Sequence, residues 1–300
     1  ARDLPWRRDR EPYHVWLSEI MLQQTRVEAV RGYYLRFLDA FPTLRDLAAA
    51  DEARLLKLWE GLGYYSRARN LQKAARVLCD EYGGVFPDTR EALEGLPGVG
   101  PYTAGAVASI CFERPCAAVD GNVLRVLSRL TADGAPVDLP ATRADIAARL
   151  EAVYPAGACG AFTQALMELG AVVCTPKSPK CGLCPANGFC LAAARGETAR
   201  YPVRLPKREK RTEKRTGLLL ECEGRFAVER RSASGLLAGL WQLPNLTGER
   251  TADEAMAEAA ALETQPAQLC RELRRTHVFT HIRWEMVCYH IRCRCAPMRF

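Results

Sequence analysis

Hydrophobic positions recur every three to four residues through most of the segment 12–190, which is the spacing of amphipathic helices. Pro12 marks the start of a first helix, because proline suits the first helical position. The same pattern, with Gly and Pro between segments, predicts further helices over about 26–40, 43–49, 52–58, 66–82, 89–95, 101–111, 120–131, 142–153 and 160–173. No alternating strand pattern interrupts the series, so the first part of the chain is predicted to be all-α.

The pattern changes after residue 200. Basic residues crowd a short polar stretch, which predicts an interdomain linker over 201–215. Beyond it, strand-like runs cover 216–222, 225–231 and 284–295, and helical spacing covers 251–263. The chain therefore divides into a helical domain (1–200), a linker (201–215) and a smaller α/β domain (216–300).

Composition limits the class of protein. A chain of 300 residues with 48% hydrophobic content can form two packed domains, and no apolar run approaches the roughly 18 residues of a membrane helix. The net charge of +7 suits an acidic polymer as a partner without requiring one. No basic-then-apolar signal segment precedes Trp6, so we expect an intracellular protein, cytoplasmic or nucleoid-associated. We also expect a monomer, and the start at Ala1 without Met suggests trimmed ends.

Residues 96–122 contain two signals of nucleic-acid chemistry. The turn LPGVG, in which Gly98 and Gly100 can both take positive φ, leads into a helix whose free N–H groups suit a phosphate. Asp120 follows, between an apolar run and a turn. Each signal also has an ordinary explanation, since Pro-Gly turns start many helices and Asp-Gly is a common turn.

Glu19 is a candidate general acid. On a helix it shares a face with Val15, Trp16 and Leu22. Desolvation by these neighbours would raise its pKa and keep a proton available near neutral pH. This helix alone favours the alternative, a surface glutamate with good helix propensity.

Two further segments are candidate DNA contacts. Gln24 and Thr25 end the apolar stretch of the first helix, and they could hydrogen-bond base edges or form its solvated end. Residues 61–69, GLGYYSRAR, combine glycines, tyrosines and arginines that suit base stacking and phosphate binding. They could equally cap a helix with packed aromatic rings, and the sequence leaves both segments open.

Four cysteines form a compact cluster with the pattern C-x6-C-x2-C-x5-C: Cys174, Cys181, Cys184 and Cys190. Nearby prolines and polar residues deny these thiols an apolar setting, so the cluster predicts a metal centre. Thirteen cysteines, an odd number in a long chain, favour reduced thiols over a disulfide scaffold. Zinc and a [4Fe–4S] cluster both accept four thiolates, and the ligand set does not choose between them.

Together, the glycine turn, the downstream aspartate and the cysteine spacing resemble the endonuclease III superfamily of helix-hairpin-helix DNA glycosylases. Within it, the segments WLSEIMLQQTRVE, WEGLGYYSRARNL, LPGVGPYTAGAV and VDGNVLRVLSRL are similar to adenine glycosylases of the MutY type. The resemblance covers residues 2–190 densely. It implies excision of adenine paired with 8-oxoguanine or guanine in double-stranded DNA, and a [4Fe–4S] cluster on the four cysteines.

The resemblance also implies roles for individual residues. Glu19 would protonate N7 of a flipped adenine, and Asp120 would stabilise the sugar cation. Tyr102 and Asn122 would orient this pair. Strand-cutting members carry a lysine at the position of Tyr102 that forms a Schiff base, which a phenol cannot do, so base removal alone is expected.

Other residues fall at implied binding positions. Those at the adenine pocket are Arg2, Leu4, Trp6, Arg7, Gln164 and Glu168. Those at the DNA are Gln24, Thr25, Tyr64, Gly98 and Gly100, with Gln24 and Tyr64 wedged into the base stack. Trp6 could instead be a core anchor, and Glu168 an ordinary surface acid.

The second domain fits the same family. Residues 235–244, GLLAGLWQLP, resemble the early part of a Nudix fold, which the family uses to recognise 8-oxoguanine. The helix 251–263 lacks the Arg-Glu array that binds metal in Nudix hydrolases, so pyrophosphatase activity is not expected. Phe279, Thr280 and His281 stand where the family has a Phe-Ser-His loop, and the domain is expected to be truncated at Phe300.

Two other functions stay open at this point. A bifunctional pyrimidine-lesion glycosylase would share the turn and the cysteine cluster. A non-catalytic, metal-stapled DNA-binding module could use both features for binding alone.

Overall fold

The computed structural model describes residues 2–206, 209–232 and 235–295. The chain forms two compact units, Ala1–Leu205 and Pro206–Phe300. None of the helices in the described ranges has the length and apolar character that a bilayer crossing demands.

The first unit is helical, which confirms the predicted all-α class. Its α-helices are α1 (Pro12–Leu22), α2 (Val27–Ala40), α3 (Leu44–Ala49), α4 (Glu52–Trp59), α5 (Ser66–Glu81), α6 (Arg90–Glu94), α7 (Pro101–Phe112), α8 (Gly121–Thr131), α9 (Pro140–Glu151), α10 (Cys159–Glu168) and α11 (Leu191–Ala194). A π-helix, Leu169–Val173, continues α10. Proline at the first turn starts α1, α7 and α9, and a Thr43–Asp46 capping box starts α3.

Helices α1 and α7 pack together at the centre of this unit. Val15 of α1 lies in one buried cluster with Ala106 and Ile110 of α7. Small residues of α7 also allow a close approach of the segment before α8, since a Cβ on Gly105 would lie 2.2 Å from the carbonyl oxygen of Ala117. This packing brings Glu19 on α1 to the start of α7.

The turn before α7 differs from the prediction at one of its two glycines. Gly98 has φ +77°, and a Cβ there would lie 2.7 Å from Cβ of Asn70, so only glycine fits. Gly100 has φ −105° and ψ 179°, because it is the N-cap of α7 and caps adopt extended backbone. The expectation of positive φ therefore holds for Gly98 alone.

The second unit is an α/β domain. Its strands are β1 (Arg211–Cys222), β2 (Arg225–Phe226), β3 (Glu229–Arg230), β4 (Trp241–Gln242), β5 (Asn245–Thr247), β6 (Pro266–Val278) and β7 (Ile282–Cys293). The main sheet has the order β2-β1-β7-β6, with β5 also paired to β1, while β3 and β4 form a separate pair. Strands β1 and β7 are parallel. Helix α12 (Ala252–Ala261) packs its alanines on this sheet.

Several predicted boundaries change. The run 225–231 is two short strands rather than one, and β6 was not predicted. Strand β1 begins at Arg211, inside the predicted linker, because residues 211–215 pair with β7. Arg211 and Lys214 are exposed there, whereas Glu213 and Arg215 are half-buried. At the other end of the predicted linker, Tyr201 is 5% exposed and belongs to the first unit.

Candidate active site

One cavity of about 710 Å³ in the helical unit collects half of the predicted site residues, including all four catalytic candidates. Its walls come from the N-terminal segment, α1, the start of α7, the start of α8, and α10. The predicted residues that line it are Arg2, Leu4, Trp6, Arg7, Glu19, Gln24, Thr25, Tyr102, Asp120, Asn122 and Gln164. The two carboxylic acids proposed for catalysis therefore share a cavity.

Glu19 is buried in the wall of this cavity, with 6% of its surface exposed. Tyr102 Oη donates a hydrogen bond to Glu19 Oε2 at 2.5 Å. Burial raises the pKa of Glu19 to about 7, and Asp120 adds to the rise, while the Tyr102 hydrogen bond and Arg7 oppose it. The interpretation of Glu19 as a surface residue is wrong, and its carboxyl group can hold a proton near neutral pH.

Tyr102 keeps its own proton. Burial, together with the charge of Glu19, raises the pKa of its phenol well above the usual value. The side chain is therefore a hydrogen-bond donor to Glu19 over the whole neutral range.

Asp120 is the N-cap of α8. Its Oδ1 accepts hydrogen bonds from the backbone N–H of Asn122 at 2.9 Å and of Val123 at 2.7 Å. Its Oδ2 accepts one from Asn122 Nδ2 at 2.8 Å. The carboxylate is thus oriented by three donors at a helix start, where negative charge is stabilised.

Arg125 fixes the amide of Asn122 and was not identified from the sequence. Its Nη2 donates to Asn122 Oδ1 and to the carbonyl oxygen of Gly170, both at 2.8 Å. Its Nε donates to the carbonyl oxygen of Cys174 at 2.8 Å. With Oδ1 engaged in this way, Asn122 presents Nδ2 to Asp120. The available signal was an arginine inside the apolar run of the segment VDGNVLRVL.

Glu168 lies beside the cavity in an ion cluster with Arg2 and Arg7. Arg2 donates to Oε1 from its backbone N at 3.0 Å and from Nε at 2.9 Å, and Arg7 Nη1 donates to Oε2 at 2.7 Å. Burial acts to raise the pKa of Glu168, but the hydrogen bonds from both arginines lower it to about 2. Glu168 is 8% exposed, so the surface-acid alternative is wrong.

Trp6 is both a core residue and a residue of the cavity wall. It is 4% exposed and packs edge-on against Tyr34, with 5.4 Å between ring centroids. It also lines the cavity. A core anchor can therefore form part of the wall of the site.

The predicted DNA contacts outside the cavity are Tyr64, Gly98 and Gly100 in the first unit. Tyr64 is 50% exposed. The arginine three residues later, Arg67, is 9% exposed and binds backbone oxygens, so it does not offer itself to a phosphate as the sequence suggested. Its partners carry no sequence signal.

The predicted Phe-Thr-His loop joins β6 to β7 in the second unit. Phe279 is half-buried against Trp284, with 5.0 Å between ring centroids, and its backbone N–H donates to the carbonyl oxygen of Ile282. Thr280 and His281 are exposed. The loop is therefore anchored at Phe279, and the next two residues are exposed to solvent.

The four cysteines of the predicted cluster line one pocket next to α8. None is in a disulfide, and Arg129 Nη1 donates a hydrogen bond to Cys174 Sγ at 3.3 Å. Among the described residues, no group of three or more acidic, cysteine or histidine side chains lies close enough together to bind a metal ion without rearrangement. The donor set of four free thiols around one pocket nevertheless suits a thiophilic group.

Comparison with known proteins places the chain in a family. A model described as HhH-GPD superfamily base excision DNA repair protein matches residues 17–149, and a NUDIX domain model matches residues 215–299. The adenine DNA glycosylase of Mus musculus is 37% identical over 99% of this chain and 69% of its own length. The chain belongs to the adenine DNA glycosylase family. This confirms the membership that the motifs predicted.

Other members of the adenine DNA glycosylase family agree. Those of Rattus norvegicus and Homo sapiens are 39% and 37% identical, each over 94% of this chain. The chain spans 66% and 63% of their respective lengths.

Solved structures support the fold of the helical unit. A thermostable thymine-DNA glycosylase aligns with a TM-score of 0.59 at 33% identity, covering 65% of this chain and 89% of that structure. Endonuclease III, trapped as a covalent intermediate with DNA, aligns with a TM-score of 0.54 at 28% identity, covering 63% and 87%.

Proposed function

We propose that this protein is a DNA glycosylase that extrudes adenine, paired with 8-oxoguanine or guanine, from double-stranded DNA and hydrolyses its glycosidic bond. The observation that carries the proposal is the placement of Glu19 and Asp120 in one cavity. One of these acids has its pKa raised to about 7, and the other is oriented by three hydrogen bonds at a helix start. We expect the enzyme to act as a monomer inside the cell, in the cytoplasm or associated with the nucleoid.

Glu19 supplies the proton. Adenine leaves poorly as an anion, so bond cleavage requires protonation of the base. Because Oε2 accepts the Tyr102 hydrogen bond, Oε1 is the oxygen free to carry the proton to N7 of the adenine. The C1′–N9 bond then breaks, and its electron pair stays on the protonated, neutral adenine.

Asp120 stabilises the cation that remains on the sugar, either by its charge or by brief covalent capture. Water then attacks C1′ and gives its proton to the carboxylate of Glu19, which restores the acid. Trp6 and Leu4 cover one wall of the cavity and exclude bulk water from this step.

Tyr102 makes the reaction stop at base removal. A strand-cutting enzyme needs an amine at this place to form a Schiff base with the sugar. Borohydride trapping should therefore give no efficient crosslink. An efficient crosslink would favour the bifunctional pyrimidine-lesion glycosylase instead.

Contacts to the DNA come from several segments. The N–H groups at the start of α7, after Gly98 and Gly100, bind a backbone phosphate, and Gln24 with Thr25 and Tyr64 enters the stack. In the second unit, the loop of Phe279, Thr280 and His281 recognises the oxidised guanine. Since Thr280 replaces a serine, its hydroxyl is kept and a methyl group is added.

Four cysteines hold the cofactor in this proposal. Cys174, Cys181, Cys184 and Cys190 would ligate a [4Fe–4S] cluster, which when bound would tie their loop to α8. The absorption spectrum of the purified protein tests this assignment. A brown protein carries iron–sulfur, and a colourless one with bound zinc would contradict it.

A single-turnover assay tests the function. Enzyme in excess should release adenine from a duplex with A opposite 8-oxoguanine, and more slowly from A opposite guanine. Binding should weaken steeply with salt, because phosphate contacts contribute much of the affinity. Tight binding without any base release would identify a non-catalytic DNA-binding module.

A further inference from the structure

Arg67 at the start of α5 is a buried cation that binds neutral oxygens. It is 9% exposed. Within the described part of the chain, its six hydrogen bonds go to five backbone carbonyls and one hydroxyl. A buried arginine that satisfies carbonyls in this way fixes the backbone segments to which they belong.

One side of the guanidinium closes the end of α1. Arg67 Nη1 donates to the carbonyl oxygens of Ile20 at 2.8 Å, Met21 at 3.0 Å and Gln23 at 2.6 Å. The last carbonyls of a helix have no partner within the helix and carry its negative dipole end, so a cation suits them. The turn that follows Glu19 is thereby held in place.

The other side reaches the loop between α4 and α5. Arg67 Nη2 donates to the carbonyl oxygens of Leu62 at 3.1 Å and Gly63 at 3.2 Å, and to Thr25 Oγ1 at 3.3 Å. The guanidinium carbon also lies 5.7 Å from the ring centroid of Tyr64. A single planar group therefore joins residues 20–25 to residues 62–64.

Each of the joined loops carries one strained backbone position. Gln24 has φ +56° and Tyr64 has φ +47°, a region that costs non-glycine residues free energy unless the surroundings enforce it. These two are also the side chains expected to enter the base stack. Arg67 binds the neighbours of both positions. It donates to Gln23 and Thr25 on either side of Gln24, and to Gly63 just before Tyr64.

We propose that Arg67 is a positioning residue, which sets Gln24 and Tyr64 at the spacing that lets both enter the DNA beside the extruded adenine. This inference rests on the proposed function, because it concerns how the two side chains that enter the DNA are aligned. Lysine cannot replace the arginine, because one ammonium group cannot span both sets of carbonyls.

The variants Arg67→Met and Arg67→Lys test the proposal against a matched control, Gln72→Met. Gln72 lies on the same helix, is 4% exposed, and donates to the carbonyl oxygen of Ala50 at 2.6 Å, away from both loops. Each variant is checked for folding by circular dichroism, and rates are expressed per active molecule from burst titration. Expressing rates per active molecule then removes the contribution of unfolded protein from all three variants.

Hydrogen exchange without DNA is the first measurement. Both Arg67 variants should exchange faster over residues 20–25 and 60–65, and Gln72→Met should not. The second measurement is the fluorescence of 2-aminopurine placed beside the adenine. In the Arg67 variants, the fluorescence increase on DNA binding should be smaller by roughly tenfold or more. The single-turnover rate of adenine release at saturating enzyme should fall by a similar factor, because small displacements of groups that position the substrate slow a reaction strongly.

Affinity for undamaged duplex should stay within about threefold, because phosphate contacts dominate it. Protection of both loops in Arg67→Met equal to that in Gln72→Met would overturn the proposal. So would equal rates per active molecule. If the unaltered protein binds DNA but releases no adenine, the proposed function fails, while hydrogen exchange still decides whether Arg67 holds the loops.

Discussion

Two glutamates at the same site, Glu19 and Glu168, show how neighbours decide what a buried carboxyl group does. Both are nearly inaccessible, with 6% and 8% of their surfaces exposed. Burial raises the pKa of Glu19 to about 7, and the one phenol hydrogen bond that it accepts opposes this rise without cancelling it. Glu168 receives two guanidinium groups, and its pKa falls to about 2. One can donate a proton and the other is a fixed charge.

Glu19 and Glu168 therefore have different functions in the site. A proton donor must lose its proton within the working pH range, which requires burial without a full positive partner. A carboxylate that stays charged and stabilises the fold instead requires positive partners close by. Arg2 and Arg7 line the cavity while binding Glu168, so the fixed charge holds the N-terminal segment against α10.

Replacement of Glu19 should produce the largest effect. Glu19→Gln removes the donated proton, and single-turnover adenine release should fall by about 10²–10⁴-fold, the usual contribution of a general acid. DNA affinity should change little. The exposed Glu60→Gln is the control and should act like the unaltered enzyme. Release at a comparable rate by Glu19→Gln would show that another group delivers the proton.

Replacement of Glu168 should act on stability first. Glu168→Gln leaves two guanidinium groups without their counter-charge, and the free energy of unfolding in urea should drop by about 2–3 kcal/mol. Glu60 pairs with Lys57 at the surface, so Glu60→Gln should change it by less than about 0.5 kcal/mol. Equal small effects of both substitutions would mean that the Glu168 cluster is not a structural anchor.

The pH dependence of stability should have opposite slopes for the two residues. Between pH 4.5 and about 7, folded Glu19 keeps a proton that the unfolded chain loses, so its contribution falls as pH rises. The contribution of Glu168 is complete above pH 4.5 and is lost as pH falls toward 2. Urea titrations of each Gln variant against the unaltered protein measure both. Parallel slopes would refute the contrast.

Removal of the phenol hydroxyl should have the smallest effect. Tyr102→Phe deletes a hydrogen bond that lowers the pKa of Glu19, so the alkaline limb of the pH–rate profile, expected near pH 7, should move upward. Tyr154→Phe, which loses a hydroxyl contact to Thr163 instead, should leave the limb in place. An unmoved limb in Tyr102→Phe would show that the Tyr102 hydrogen bond does not contribute to the pKa of Glu19.

The helices could be predicted because their signals are local. Apolar periodicity, proline at the first turn, and the Thr43–Asp46 capping box lie within the segments that they start. The strand β6 could not be predicted, since almost all of its residues are exposed and it exists through pairing with β7. Whether this segment forms a strand thus depends on β7 and not on its own sequence.

The hydrophobic pattern of α1 also could not decide whether Glu19 is buried or exposed. Eight of the eleven residues of α1 are buried, so no polar face distinguishes the side chain that enters a cavity from one that meets solvent. Arg67 and Arg125 bind backbone carbonyls, which every residue has. The types of the site residues were readable from the motifs, whereas their supports depend on distant chain segments.

The N-cap at Asp120 has a consequence for how variation at this position would be tolerated. Asp120, which we propose stabilises the sugar cation, is also the N-cap of α8. A substitution here would therefore change both the amount of folded protein in the cell and the rate of catalysis. Alanine would remove the helix cap together with the charge, while asparagine would keep an oxygen for Asn122 and Val123. A survey of substitutions scored for both properties should therefore find asparagine abundant yet inactive, and alanine poor in each.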